Sequence, residues 1–278
     1  MSSRQLSVGA AIVFVVAFCA WTPLMSQPTP APQATDAQIY DGFVAWLDTQ
    51  PSIHDQPTAL ERYRQALKGQ GLESSEIDRR IQVIGRYARR LEVERWNRVL
   101  TSASPRFNTQ PNAFVVQMTE GRTPGKALDV GMGQGRNALY LARHGWTVTG
   151  FDPADKAVAA ANEEARRLGI QLTTQIVGDE EFDFGRDQWD LIVMSYVTLR
   201  HLTARVYDSL KPGGLVVVEA FHRDATKGAA IGGGVVFDSN ELLRLFDRYR
   251  IVRYEDAEAV ADFGLQKTRV VRLAAQKP

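Results

Sequence analysis

The chain has 278 residues, 44% hydrophobic and 23% charged, with 33 lysines and arginines against 32 aspartates and glutamates. That balance excludes a globally basic, polyanion-binding protein, and no nucleic-acid partner is expected. The single cysteine, Cys19, excludes an internal disulfide and a cysteine-based metal cluster, and no metal site is expected.

The first 25 residues read as a signal peptide or membrane anchor. From Gln5 to Thr35 there is no charge, and "LSVGAAIVFVVAFCAWTPLM" is apolar almost throughout. "AFC" before Ala20 is a tolerable cleavage site but a poor lipoprotein site, because Phe18 is bulky. Arg4 precedes the run and no Lys or Arg follows until Arg62, which favours the N-terminus inside and the rest outside. The expected localisation is therefore anchored or exported, with a membrane partner if the leader stays uncleaved. A Pro/Gln/Thr-rich linker fills 26–37.

Residues 38–106 read as a helical region. Ile77, Ile81, Ile84, Ala88 and Leu91 recur at helical spacing, and "ESSE" ahead of them reads as a capping signal. Arginines from Arg79 to Arg98 stud the same stretch. Glu76, Asp78, Glu92 and Glu94 are interleaved with them, so the surface reads as a solvated helix face. "RFNTQPNAF", at 106–114, reads as an irregular lead-in to the domain expected over 107–278.

From Lys126 strands alternate with helices: "KALDV", "RNALYLARHG", "WTVTGFD", "DKAVAAANEEARRLG", "IQLTTQIVGD", "WDLIVMSY", "TARVYDSLKPGG" and "LVVVEAF". Such alternation implies a parallel sheet with helices on both faces. After "SNELLRLFDRY", two strands near "IVRYED" and "TRVVRLAA" have no helix between them and read as an antiparallel pair.

The chemistry centres on "DVGMGQGRN", 129–137. A strand that runs into a glycine-rich turn and then a helix lets a ligand lie on bare backbone at the helix start. A dinucleotide fingerprint would be G-x-G-x-x-G, but here the spacing is G-x-G-x-G and Arg136 stands where the third glycine belongs. Asp129 is also misplaced for a phosphate ligand. A cationic cofactor without phosphate, S-adenosylmethionine, suits an acid beside the glycines. Asp152, at the end of the next strand, can accept ribose hydroxyls, and Asp179, at the end of the third, can meet the adenine amino group.

"LDVGMGQGRNALYLARHGWTVTGFD", "VGDEEFDFGRDQWDLIVMSY" and "LKPGGLVVVEAF", in that order, resemble class I S-adenosylmethionine-dependent methyltransferases, and "GRNALYLA" resembles their tellurite/thiopurine small-molecule type. The resemblance implies a doubly wound α/β (Rossmann-like) fold with seven strands in order 3-2-1-4-5-7-6, strand 7 antiparallel. It also implies S-adenosyl-L-methionine as cofactor and a small-molecule methyl acceptor. Expected cofactor contacts are Asp129, Gly131, Gly133, Gly135, Arg136, Asn137, Asp152, Asp179, Glu180 and Ser195. Arg136 and Asn137 read equally well as polar first-turn residues, and Asp179 and Glu180 as a solvated acidic turn shared with Glu181 and Asp183. Tyr196 and His222 are the catalytic candidates, with His201 behind them; packing for Tyr196 and plain loop roles for the histidines stay open. Phe107, Asn108 and Asn112 resemble residues that close over the cofactor in relatives, and "GGG" at 232–234 reads as a mobile rim loop. The rival readings are an envelope binding or structural module that keeps this fold without catalysis, and an NAD-binding oxidoreductase.

Overall fold

The computed structural model describes residues 33–50, 56–226 and 233–278. The leader, most of the proline-rich linker and the first residue of "GGG" lie outside these. Among the described residues no helix is long and apolar enough to cross a membrane.

Three helices come first: α1 (Asp36–Asp48), α2 (Gln56–Gly69) and α3 (Ser74–Leu100). They enclose their own apolar cluster, with Ile39, Phe43, Tyr63, Leu67, Ile77 and Ile84 buried. Thr35 and Gln38 cap α1 reciprocally. The capping signal expected before α3 does not operate. Glu73 is the cap residue and its side chain makes no cap hydrogen bond, while the carboxylate of Glu76 is taken by Arg79 and Arg80. Within the stretch expected to be irregular, Asn112 caps a short helix, α4 (Ala113–Thr119), by accepting from Val115 N at 3.0 Å. Seven residues are too few to show a helical period in sequence.

The sheet comprises β1 (Lys126–Val130), β2 (Thr147–Phe151), β3 (Thr173–Gln175), β4 (Trp189–Ser195), β5 (Leu210–His222), β6 (Val236–Phe237), β7 (Arg250–Val260) and β8 (Lys267–Gln276). Its order is β3-β2-β1-β4-β5-β8-β7, with β8 antiparallel to both neighbours and the two-residue β6 beside the end of β5. This is the doubly wound order that the resemblance implies, with the last two strands numbered one higher because β6 precedes them. The connecting helices are α5 (Arg136–Arg143), α6 (Asp155–Leu168), α7 (Thr203–Ser209) and α8 (Glu241–Leu245).

Burial explains the continuous apolar runs. Leu128, Val130, Ile192, Met194, Val216 and Val218 face one layer, while their neighbours Ala127, Leu191, Val193, Leu215 and Val217 face the other. Strands covered on both faces leave no room for polar alternation. The exception is Asp129, which the same alternation turns into the layer shared with α5.

One core group breaks the usual satisfaction of buried polar atoms. The hydroxyl of Tyr249, packed edge-on against Tyr207 and near Phe246, has no hydrogen-bond partner among the described residues. Burial holds this phenol well above its ordinary pKa. An unpaired buried hydroxyl costs about 1–3 kcal/mol. Tyr249→Phe removes that cost at constant shape, so its melting temperature should equal or exceed that of the parent. A clear drop would show that the hydroxyl has a partner.

Candidate active site

The glycine turn leaves β1 at Val130 and delivers the chain to α5. Gly131, Gly133 and Gly135 hold φ of +63°, +55° and +76°, a region L side chains avoid. At Gly131 space is limiting too, because a Cβ would lie 2.6 Å from Val197 Cγ1. Two carboxylates secure the turn. Asp152, just past β2, accepts from Gly133 N at 2.9 Å through one oxygen and from Ala154 N at 2.8 Å through the other. Asp129 accepts from Ala138 N, in the first turn of α5, at 3.1 Å.

Both acids are buried, and burial raises the pKa of each. For Asp152 the two backbone N–H groups pull the other way. Asp129 is pushed up to about 7, chiefly by burial, with Arg136 and the Ala138 N–H opposing and Asp152 adding to the rise. Its second oxygen accepts no hydrogen bond among the described residues, which suits a cationic ligand group.

Asn137 and Ser195 meet at the far end of the turn. Asn137 Oδ1 accepts from Asn112 N at 2.9 Å, and its Nδ2 lies 3.4 Å from Ser195 Oγ. The lead-in therefore does join the site, through Asn112. Phe107 pairs with Phe263 of the β7–β8 turn, their rings stacked with centroids 5.5 Å apart. α3 joins it as well. The Leu100 side chain covers Gly133, Gln134 Nε2 donates to Leu100 O, and Asn97 caps α6 by accepting from Lys156 N at 3.0 Å.

Asp179 and Glu180 sit elsewhere than the sequence placed them. β3 ends at Gln175, so both lie in the following turn. There Asp179 Oδ2 meets His201 Nε2 at 3.0 Å, and Glu180 is exposed. His201 is thus paired with an acid at the surface.

The catalytic candidates are also more constrained than expected. Tyr196 is buried with φ of +58°; its hydroxyl donates to Glu219 Oε1 at 2.8 Å and accepts from Asp262 N at 3.1 Å. Burial and the Glu219 charge hold the phenol protonated far above its ordinary range, so it is no base near neutrality. Arg272 supplies the countercharge to Glu219 at 2.7 Å. His222 closes β5, and its Nδ1 accepts from Asp224 N at 3.0 Å. That leaves the ring proton on Nε2, which donates to Ser239 Oγ at 3.0 Å, and Ser239 donates to Asp256. Neither ring nitrogen is free.

Three residues here carried no signal in the sequence: Glu219, Asn97 and Asp262. Asp262 accepts from Arg136 at 2.6 Å, Asn112 at 2.6 Å and Asn108 at 2.9 Å. It lies 150 positions from Asn112, so no local spacing connects the two.

The Asp129 environment predicts a pH effect. Its pKa rises on folding from 3.8 to about 7, so the folded state binds the proton more tightly. The favourable contribution is fully present below about pH 4 and is lost as pH rises through 7. Asp129→Asn should therefore raise the melting temperature more at pH 8 than at pH 4. Equal shifts at both values would exclude Asp129 as the titrating group.

Residues 127–214 match the family described as Methyltransferase domain. The Alcanivorax borkumensis ribosomal RNA small subunit methyltransferase C is 34% identical over 38% of this chain and 36% of its own length. The Rhizobium leguminosarum ubiquinone biosynthesis O-methyltransferase is 29% identical over 48% and 55%. The probable S-adenosyl-L-methionine-dependent methyltransferase TehB of Haemophilus influenzae is 25% identical over 55% and 56%. The chain thus spans about a third to a half of these relatives' lengths. Among solved structures, Haemophilus influenzae TehB superposes with a TM-score of 0.52 at 21% identity, covering 60% of this chain and 62% of that one. The N-methyltransferase NodS of Bradyrhizobium japonicum, in complex with S-adenosyl-L-homocysteine, also gives 0.52, at 18% identity, covering 67% and 98%. Those two likenesses show the fold. The family match marks a methyltransferase domain over residues 127–214, in a chain that resembles the class I S-adenosylmethionine-dependent methyltransferases, TehB among them.

Proposed function

We propose that this protein transfers a methyl group from S-adenosylmethionine to a small-molecule acceptor. The observation that carries the reading is the pair of buried carboxylates on either side of a glycine turn in which a side chain at Gly131 would clash. Such a site suits a ligand that is cationic at one end and rich in hydroxyls at the other, and it disfavours a pyrophosphate.

The residues fit that cofactor. Asp152 has spent one lone pair of each oxygen on backbone N–H groups, and the remaining pairs would receive the ribose hydroxyls. Asp129, with one unpaired oxygen, would face the α-ammonium. Arg136, Asn137 and Ser195 border the same turn. When bound, the sulfonium supplies an electrophilic methyl group. The chain's own task is to orient an acceptor in line with it and keep water out. Tyr196 and Phe221 pack edge-on with a centroid distance of 4.8 Å and form a buried apolar cluster with Val236 and Ala261. With Tyr196 and His222 committed to the fold, the reaction relies on orientation and on an acceptor that is already nucleophilic.

We also propose that the leader directs or anchors the chain at a membrane, on the strength of its uncharged apolar run after Arg4.

Calorimetry on the full-length protein should show binding of S-adenosyl-L-homocysteine and none of NADH. Asp152→Ala should weaken that binding by at least about tenfold, since hydrogen bonds to a charged group contribute roughly 1.5–3 kcal/mol each. NADH binding in place of the homocysteine would restore the oxidoreductase reading. For the leader, a reporter active only outside the cytoplasm should give signal when fused to residues 1–36. A soluble cytosolic fusion would overturn the targeting.

A further inference from the structure

We propose that Asp262, in the turn between β7 and β8, is a positioning residue that aims Arg136 at the carboxylate end of the bound cofactor. The inference rests on the function proposed above and adds a residue from the opposite end of the chain to that site.

Asp262 is itself firmly placed. Its backbone N–H donates to the Tyr196 hydroxyl at 3.1 Å, and its carbonyl accepts from Asn108 N at 2.6 Å. The Phe107–Phe263 stack closes over the next residue. Its carboxylate has little freedom and is nearly buried, at 10% side-chain exposure, against 12% for Arg136.

The contact between them is one-sided. Arg136 spends only Nη1, on Asp262 Oδ2 at 2.6 Å and more loosely on Gln110 O at 3.3 Å. Its Nε and Nη2 have no acceptor among the described residues. A guanidinium held at one corner keeps an edge of two parallel N–H groups, the arrangement that grips a carboxylate bidentately. The adjacent charges are Asp129 on β1, which feels Arg136, and Asp152 after β2, which feels neither bond directly but adds to the field at Asp129. Asp262 therefore does more than neutralise the guanidinium. It draws it away from Asp129, so that the acid and the arginine can serve opposite ends of one amino-acid moiety, ammonium and carboxylate. Asn112 and Asn108, on the same carboxylate, keep Asp262 in place when Arg136 engages a ligand.

The test compares two probes on full-length protein. S-adenosyl-L-homocysteine carries the amino-acid end, and 5′-methylthioadenosine lacks it. Asp262→Asn and Arg136→Gln should each weaken the homocysteine by about tenfold, the scale of one charge-assisted contact, and leave methylthioadenosine within twofold. The double variant should bind no more weakly than Arg136→Gln alone, because the two residues act in series. Glu258→Gln, on the exposed Lys267 pair of the same hairpin, should change neither. If Asp262→Asn binds both probes like the parent, or loses both equally, the positioning role is wrong while the cofactor reading stands. Failure of the parent protein to bind either probe would overturn both.

Discussion

Gly133 N–H can reach the Asp152 carboxylate only because the glycine turn holds positive φ at three alternate positions, and much of the site is built on that contact. It joins the end of β1 to the end of β2 and, through Ala154 N, to the start of α6. A side chain in the turn would add backbone strain, and at Gly131 a clash with Val197 as well. The two carboxylates that brace the turn are buried without a full ionic partner, an arrangement that costs stability. A purely structural site would gain from replacing Asp129 with an amide, and the cofactor proposed above would supply the countercharge that the fold does not.

The N-terminal helices are tied to this turn by few but specific contacts. Their own core lies toward the start of α3, while the end of that helix reaches the site. Asn97 supplies the cap that Ala154 cannot, at the one helix that starts beside Asp152. A cap is worth about 1 kcal/mol, enough to link the docking of α3 to the order of the α6 start. Leu100 lies over Gly133, so the helical region forms part of the wall a cofactor would meet.

On the other side, the β7–β8 hairpin carries Asp262 to the same place. It crosses to Tyr196, Arg136 and the lead-in within one turn of chain, joining segments from three parts of the sequence. The buried Glu219 and the half-buried Arg272 pair below, and the Glu219 carboxylate holds the Tyr196 hydroxyl in place as a strut. The cluster around His222, Ser239, Asp224, Asp256 and Arg269 is closed in the same sense, each side chain already paired with a neighbour.

The sequence alone determined the strands, the glycine turn and the places of Asp129 and Asp152, because these depend on local rules, whereas the strand order came only with the family resemblance. Buried strands must be apolar throughout, a left-handed turn needs glycine, and a carboxylate at a strand end keeps its position whatever lies across the sheet. The short helix α4 escaped it because seven residues carry no period, and the cap before α3 failed because Arg79 and Arg80 compete for Glu76. Asp179 was displaced because β3 is only three residues long. Tertiary structure decided the rest. Whether a hydroxyl or an imidazole is free depends on what faces it, and Glu219 and Ser239 reach Tyr196 and His222 only through the sheet and its rim. The link from Asp262 to Arg136 spans 126 positions, and it exists because the antiparallel β8 returns the hairpin to the end of the sheet where the glycine turn lies.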